Sequence, residues 1–428
     1  MAKAIFEVDR LSFDARAFQW AQQFGQLCYL QSNGYVDEYS SIDCILAVDA
    51  QEEFYATSHK TFEHIENFRA KYSQQWVFGF FGYDLKNELE GLHTSFPNPL
   101  KFPDAYFFVP KTIIKFFKSS IEIDGDNPHH IFECIQAQSL TEKNQELEKT
   151  PINIRQRMSK EAYFGTFSKM MYHIKRGDIY EVNLCQEFYA EHAKIDPAST
   201  YRQLNRISPT PFSTFFKLGD KFILSASPER FLAKRGKKLI SQPIKGTAPR
   251  GKDKVDDDRI KHQLRNDPKE IAENVMIVDL VRNDMTQASE PGTVTASKKL
   301  EVHTFKQVHQ LISTITGIKK TNLSDISVIK NLFPPGSMTG APKISAMQLC
   351  DKYETSKRGV YSGAIGYFCP DGDFDFNVVI RTILYNQTEQ YLSFHTGGAL
   401  TYNAIVEDEY NECLLKASAI NTALKKLS

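Results

Sequence analysis

Residues 359–400 read GVYSGAIGYFCPDGDFDFNVVIRTILYNQTEQYLSFHTGGAL, aromatic and β-branched runs broken twice by turn-forming clusters, PDGD at 370–373 and NQTEQ at 386–390. Such runs separated by short polar turns predict consecutive strands. Directly behind them, residues 408–427, DEYNECLLKASAINTALKKL, repeat apolar residues at helical spacing and predict a closing amphipathic helix. Working backwards gives the same mixture. KFILSASPERFLAKRGKKLISQPI (221–244) predicts strands around a KRGKK turn, and EVNLCQEFYAE (181–191) alternates as a strand. MSKEAYFGTFSKMMYHIKRGD (158–178) predicts a helix stopped by Gly177. DPKEIAENVMIVDLVRNDM (267–285) and VHTFKQVHQLISTITG (302–317) are also expected to be helices. The fold class is mixed α and β.

The first 150 residues are richer in aromatic residues, as in QWVFGFFGYDLKNEL and PDAYFFVP, with short strand-like runs TIIKFF and IEIDG. They read as a β-rich N-terminal part, residues 1–150. Residues 136–160, polar and interrupted by Pro151, are the expected link to a second part, residues 151–428. Of 428 residues, 41% are hydrophobic and 24% charged, as in globular proteins. Fifty-two basic residues balance fifty-two acidic ones, so nothing favours nucleic acid or anionic membrane, and a small-molecule partner is expected. Seven scattered cysteines without a CxxC pair suit reduced thiols in the cytoplasm. The N-terminus lacks the apolar core of a signal peptide, and no apolar run is long enough to span a membrane.

Several residues could carry chemistry. Glu270 and Glu273, three apart in a helical pattern, share a face, and Glu409 and Glu412 repeat the arrangement four residues before Lys416. Each pair alone reads first as a solvated face. Two pairs facing one another would make an oxygen cage for a hard divalent ion such as magnesium. FPPGSMTGAPKISAM (333–347) and HTGGALTYN (395–403) are glycine loops able to turn backbone N–H groups toward an anion, or ordinary turns. Arg381, alone within an apolar strand-like run, requires an anionic partner from the protein or from a ligand. His309 sits among apolar neighbours and Glu229 follows a proline; each reads as catalytic or as plainly structural. QPIKGTAPRG (242–251) places Lys245 in a loop of proline, glycine and small polar residues, where a lysine is either solvated or used.

Taken in order, SPERF, PIKGT, AENVMIVDLVRND, PPGSMTGAPK, RGVYSGAIGYF, VVIRT and the final glycine loop with its ExxE helix resemble the chorismate-utilising enzymes. The resemblance is strong over about residues 155–428 and looser before, chiefly YLQSNGY and FGFFGYDL. It implies two antiparallel β-sheets packed face to face with helices outside, and a substrate cleft in the C-terminal region. It further implies Glu273 and Glu412 as magnesium ligands with Glu270 and Glu409 beside them. Tyr361, Arg381, Gly397 and Gly398 would hold the enolpyruvyl carboxylate. Gly246, Thr247, Thr339 and Lys416 would make further substrate contacts, and Glu229 and His309 would act at the leaving hydroxyl.

Within the family, PIKGT resembles the aminodeoxychorismate synthase branch, whereas anthranilate synthases carry PIAGT. The resemblance implies that Lys245 attacks carbon 2 of chorismate and that ammonia, from a separate glutamine amidotransferase subunit, resolves the adduct at carbon 4. Lys245 would then need a lowered pKa. Glu181 stands where water-adding relatives carry a lysine base and amine-transferring ones a glutamine, and Ala399 replaces a common third glycine. The alternatives are anthranilate synthase component I and a non-catalytic chorismate-binding protein.

Overall fold

The computed structural model describes residues 2–40, 42–56, 59–139, 152–306 and 308–425. Every paired strand is antiparallel. One sheet runs in the order Ala2–Glu7, Ser120–Gly125, Ala105–Phe116, Cys44–Tyr55, Gln26–Gln31, Phe212–Leu218, Lys221–Ser227, Thr382–Asn386, Tyr391–Leu400, Glu181–Ala190. The other leaves the same long strand, Ala105–Phe116, through Val77–Phe81, Ala364–Phe368, Phe374–Val378, Arg230–Arg235 and Lys238–Gln242 to Val308–Ile318. Ile244–Pro249 and Thr295–Thr304 pair with this last strand. Ala105–Phe116 therefore joins the two sheets at a corner.

Alternation of side chains separates the layers. Phe216 and Ile223 point from the first sheet into the shared core, where the Phe80 ring meets Phe216 edge-on at 5.7 Å. Their neighbours Phe215, Phe222 and Leu224 point outward under the helices Arg10–Ala21, Pro197–Ile207 and Val406–Lys425. The second sheet is covered on its other face by the helices Thr61–Lys71, Pro268–Ala288 and Asp325–Leu332, where Phe81 stacks on Phe62. Each buried phenylalanine is worth roughly 1.5–3 kcal/mol, so the aromatic-rich N-terminal residues supply much of what closes the sandwich. Their strands are built into both sheets, Gln26–Gln31 beside Phe212–Leu218 and Val77–Phe81 beside Ala364–Phe368.

The expected helix at residues 302–317 is instead the end of one strand and most of the next, Val308–Ile318. Val308, Ile312, Thr314, Ile315 and Thr316 are β-branched, stiff at χ1 and favoured in sheets. The strand is buried on both faces, which erases the period-2 signal that would have distinguished it from a buried helix. The stretch around Lys245 is likewise the strand Ile244–Pro249, with a bulge in register between Ile244 and Thr247. The expected helix after residue 158 is Lys160–Arg176, capped by Ser159 at its start and by Gly177 at φ 85°. Most of the expected link at 136–160 lies outside the described residues.

Candidate active site

The bulge at Lys245 and Gly246 lets the strand turn its lysine inward, and the side chain is only 11% exposed. Lys245 Nζ donates to Glu181 Oε1 at 2.9 Å, from the adjacent end of the strand Glu181–Ala190. Burial pulls the ammonium down, but the carboxylates of Glu181, Glu273 and Glu229 outweigh it and hold the amine above its ordinary value. The lowered pKa expected from sequence is therefore not found. In the free protein Lys245 is a protonated member of a buried ion pair.

Glu229, in the turn between Lys221–Ser227 and Arg230–Arg235, is 4% exposed. Desolvation pushes its carboxyl up to about 7, against a hydrogen bond from Ser337 and the charges of Lys245 and Arg381. Arg381 lies just ahead of the strand Thr382–Asn386, at φ 50°. That left-handed conformation costs a non-glycine residue about 1–3 kcal/mol. Burial lowers the guanidinium, Glu229 is the carboxylate that supports it, and no ion pair holds it among the described residues. Tyr361, buried and stacked on His395 at 4.9 Å, brings its hydroxyl to 3.7 Å from Cys185 Sγ. A Cβ on Gly397 would lie 2.4 Å from Leu184 O, so glycine there is a packing requirement.

The two acidic pairs meet. Glu270 and Glu273 come from the helix Pro268–Ala288, Glu409 and Glu412 from Val406–Lys425. Lys269 Nζ bridges the helices, 3.8 Å from Glu273 and 3.4 Å from Glu409. Desolvation, then repulsion from its neighbouring glutamate, raises Glu270 to about 7 and Glu409 to about 7. Glu273 is raised too by burial, whereas Glu412 falls because Lys416, at 2.7 Å, more than offsets its burial. Gly246 and Gly398 make room: a Cβ would come within 2.8 Å of Glu270 Oε2 and 2.7 Å of Glu409 Oε2, respectively. Oxygen-only donors suit a hard divalent cation. Among the described residues no three carboxylates close into a cage, and Lys269 supplies the countercharge.

These raised carboxyls set a pH dependence. Each binds its proton more tightly in the fold than at the ordinary 4.5 of the unfolded chain. Their contribution to stability is complete below about 4.5 and is lost as pH rises through about 7. Thermal melts without divalent ions are expected to show a fall across this window that is shallower in a Glu270→Gln/Glu409→Gln double variant; an equally steep fall would refute the coupling.

The remaining residues sit around this centre. Lys416 Nζ also donates to Gly397 O at 2.8 Å. Thr339 donates to Gly336 O at 3.0 Å within the proline–glycine loop, and Thr247 is exposed on the strand of Lys245. His309 lies on a strand, not the expected helix, fully buried. Its Nε2 meets Asp257 Oδ1 at 2.9 Å and its Nδ1 meets Thr304 Oγ1 at 3.1 Å. Lys343, in the proline–glycine loop, is occupied by Asp284 and Leu332 O, at 3.0 and 2.9 Å. Lys269 and Asp257 escaped the sequence reading; the first stands one residue from Glu270 and was legible only as a helical i, i+4 partner of Glu273. YLQSNGY lines a separate cavity of about 260 Å³, where Arg230 is neutralised by Asp37 and Asp375.

The fold is a face-to-face antiparallel sandwich, with two glutamate pairs brought near one another around Lys269 and a buried Lys245–Glu181 ion pair. Residues 18–422 match the family described as chorismate binding enzyme, and the chain belongs to it. It is 35% identical over 353 residues to aminodeoxychorismate synthase component 1 of Klebsiella aerogenes, covering 80% of this chain and 75% of that one. It is 40% identical over 264 residues to the chloroplastic aminodeoxychorismate synthase of Arabidopsis thaliana, covering 61% of this chain but only 28% of that much longer protein. Anthranilate synthase component I from Streptococcus pneumoniae TIGR4 superimposes with TM-score 0.77 at 25% identity, covering 90% of this chain and 93% of that one. No described helix is long and apolar enough to cross a membrane.

Proposed function

We propose that the chain is the chorismate-aminating component of an aminodeoxychorismate synthase, converting chorismate and ammonia to 4-amino-4-deoxychorismate. The observation that carries this reading is Lys245, a buried primary amine in contact with Glu181 and within the field of Glu229 and Glu273. Arg381 and Tyr361, with the backbone at Gly397 and Gly398, bind the enolpyruvyl carboxylate, and the fork of Arg381 suits it. Gly246, Thr247, Thr339 and Lys416 shape the rest of the substrate site. Glu273 and Glu412 would hold magnesium, with Glu270 and Glu409 beside them, and the bound ion supplies a positive anchor for the ring carboxylate.

Lys245 Nζ attacks carbon 2 as the two conjugated ring double bonds shift and the carbon 4 hydroxyl leaves. Glu229, about half protonated near neutral pH because burial pushes its carboxyl up to about 7, donates to the departing oxygen. His309 would stand beside that oxygen; with both ring nitrogens engaged by Asp257 and Thr304, its role would be to orient rather than to donate. Ammonia then attacks carbon 4 and expels Lys245. A separate glutaminase subunit is the source of that ammonia, and the seven free thiols suit a reducing cytoplasm.

Incubating the protein with chorismate, magnesium and ammonium, and identifying the product by mass spectrometry, tests the reading. 4-Amino-4-deoxychorismate is expected. Anthranilate would move the chain to the activity named for its S. pneumoniae neighbour and make Lys245 a bystander. Glu412→Gln is expected to raise the magnesium needed for half-maximal rate by about 10-fold or more, as loss of one carboxylate ligand weakens a hard-ion site; an unchanged titration would remove Glu412 from the metal.

A further inference from the structure

We propose that Glu181 is the proton acceptor that frees the Lys245 amine for attack and the donor that restores it, and so a catalytic residue of this chain. The proposal rests on the reading of Lys245 as nucleophile.

The geometry is that of a closed proton pair. Glu181 is 3% exposed, and its Oε1 accepts from Lys245 Nζ at 2.9 Å. Its Oε2 is buried with no hydrogen-bond partner among the described residues. A buried carboxylate oxygen left without a donor is costly, and natural sites retain such groups mainly where a function uses them. Here the ammonium of Lys245 is the only cation bonded to the carboxylate among the described residues. If Nζ gave its proton to bulk water before attacking, Glu181 would be left as a buried, unpaired anion. Passing the proton along the existing hydrogen bond turns a buried ion pair into a buried neutral pair, with no change in net charge inside the site. A glutamine here could hold Nζ but could not take the proton.

The step balances. One Nζ–H proton moves to Glu181 Oε1, and the freed lone pair forms the Nζ–C2 bond. Both conjugated ring double bonds shift, C1=C2 to C1=C6 and C5=C6 to C4=C5, and the C4–O bond breaks with its electron pair leaving on oxygen, which takes the proton of Glu229. In the second half the ammonia lone pair forms the N–C4 bond, both double bonds shift back, the C2–Nζ pair returns to Lys245, and the ammonium formed at C4 returns a proton to Glu229. The proton stored on Glu181 then returns to the amine.

The test is single-turnover adduct formation: wild type, Glu181→Gln and Glu181→Asp are mixed with chorismate and magnesium without ammonia. Intact-protein mass spectrometry follows the gain of one chorismate less one water. Wild type is expected to form the adduct. Glu181→Gln should form it about 10²- to 10⁴-fold more slowly, the range for loss of a proton-transfer group. Chorismate binding should hold, and Glu181→Asp should recover part of the rate. Adduct formation by Glu181→Gln within about threefold of wild type would overturn the role of Glu181 while leaving Lys245 intact. No adduct in wild type, with amination unimpaired in Lys245→Ala, would overturn the nucleophile and Glu181 with it. If Glu181→Gln does not fold, Glu181→Asp decides: a slowed rate with normal binding supports the proposal, and a wild-type rate refutes it.

Discussion

Lys245→Ala is expected to abolish the covalent adduct and to lower ammonia-dependent amination by on the order of 10³-fold or more, since the residual activity would have to proceed by direct attack at carbon 4. Chorismate should still bind, because Arg381, Tyr361 and the glycine backbone are untouched. The substitution also leaves Glu181, 4% exposed in its side chain, without its cation. Breaking a buried pair by removing one partner costs about 3–5 kcal/mol, so the thermal midpoint should fall even as binding persists. Lys245→Ala/Glu181→Gln removes both charges and is expected to regain stability but not activity, which separates the chemical loss from the folding loss. Amination within tenfold of wild type in a folded Lys245→Ala protein would refute the nucleophile.

What sequence could reveal of this site follows from which interactions are local. The acidic pairs, three residues apart on helices, were legible because spacing alone puts Glu270 with Glu273 and Glu409 with Glu412. That Lys269 reaches from one pair to the other depends on the tertiary fold bringing the start of a helix from the middle of the chain near the start of the last helix, which no local pattern encodes. Lys245 drew notice as a lone amine among turn-forming residues. Its ion pair with Glu181 spans 64 positions, and so the expected fall in pKa became a rise once the carboxylates outweighed burial. Strands with polar turns, such as those on either side of PDGD, declared themselves. Val308–Ile318 did not, because burial on both faces left an apolar run whose period is uninformative and took His309 with it from helix to sheet.

Arg381→Met is expected to lower kcat/KM for chorismate by on the order of 10²-fold, chiefly through KM, with little loss of stability. A buried charge-assisted contact of this kind is worth about 2–5 kcal/mol to its ligand. The direction of the stability change carries the stronger argument. An arginine that merely held the fold together would be paired with protein carboxylates, as Arg230 is with Asp37 and Asp375, and its removal would destabilise. Arg381 instead keeps a left-handed backbone, φ 50°, and a guanidinium disfavoured by burial, with Glu229 as its supporting charge. Strain and desolvation tolerated without a direct ion pair among the described residues are what an anion receptor shows before its anion arrives. Methionine keeps the apolar stem and relieves the desolvated charge, so the thermal midpoint should hold or rise while affinity falls. Arg381→Lys keeps the charge but loses the planar fork, and is expected to recover only part of the affinity. A normal KM with a lowered midpoint in Arg381→Met would show that the arginine braces the turn ahead of Thr382 and that the enolpyruvyl carboxylate is held elsewhere.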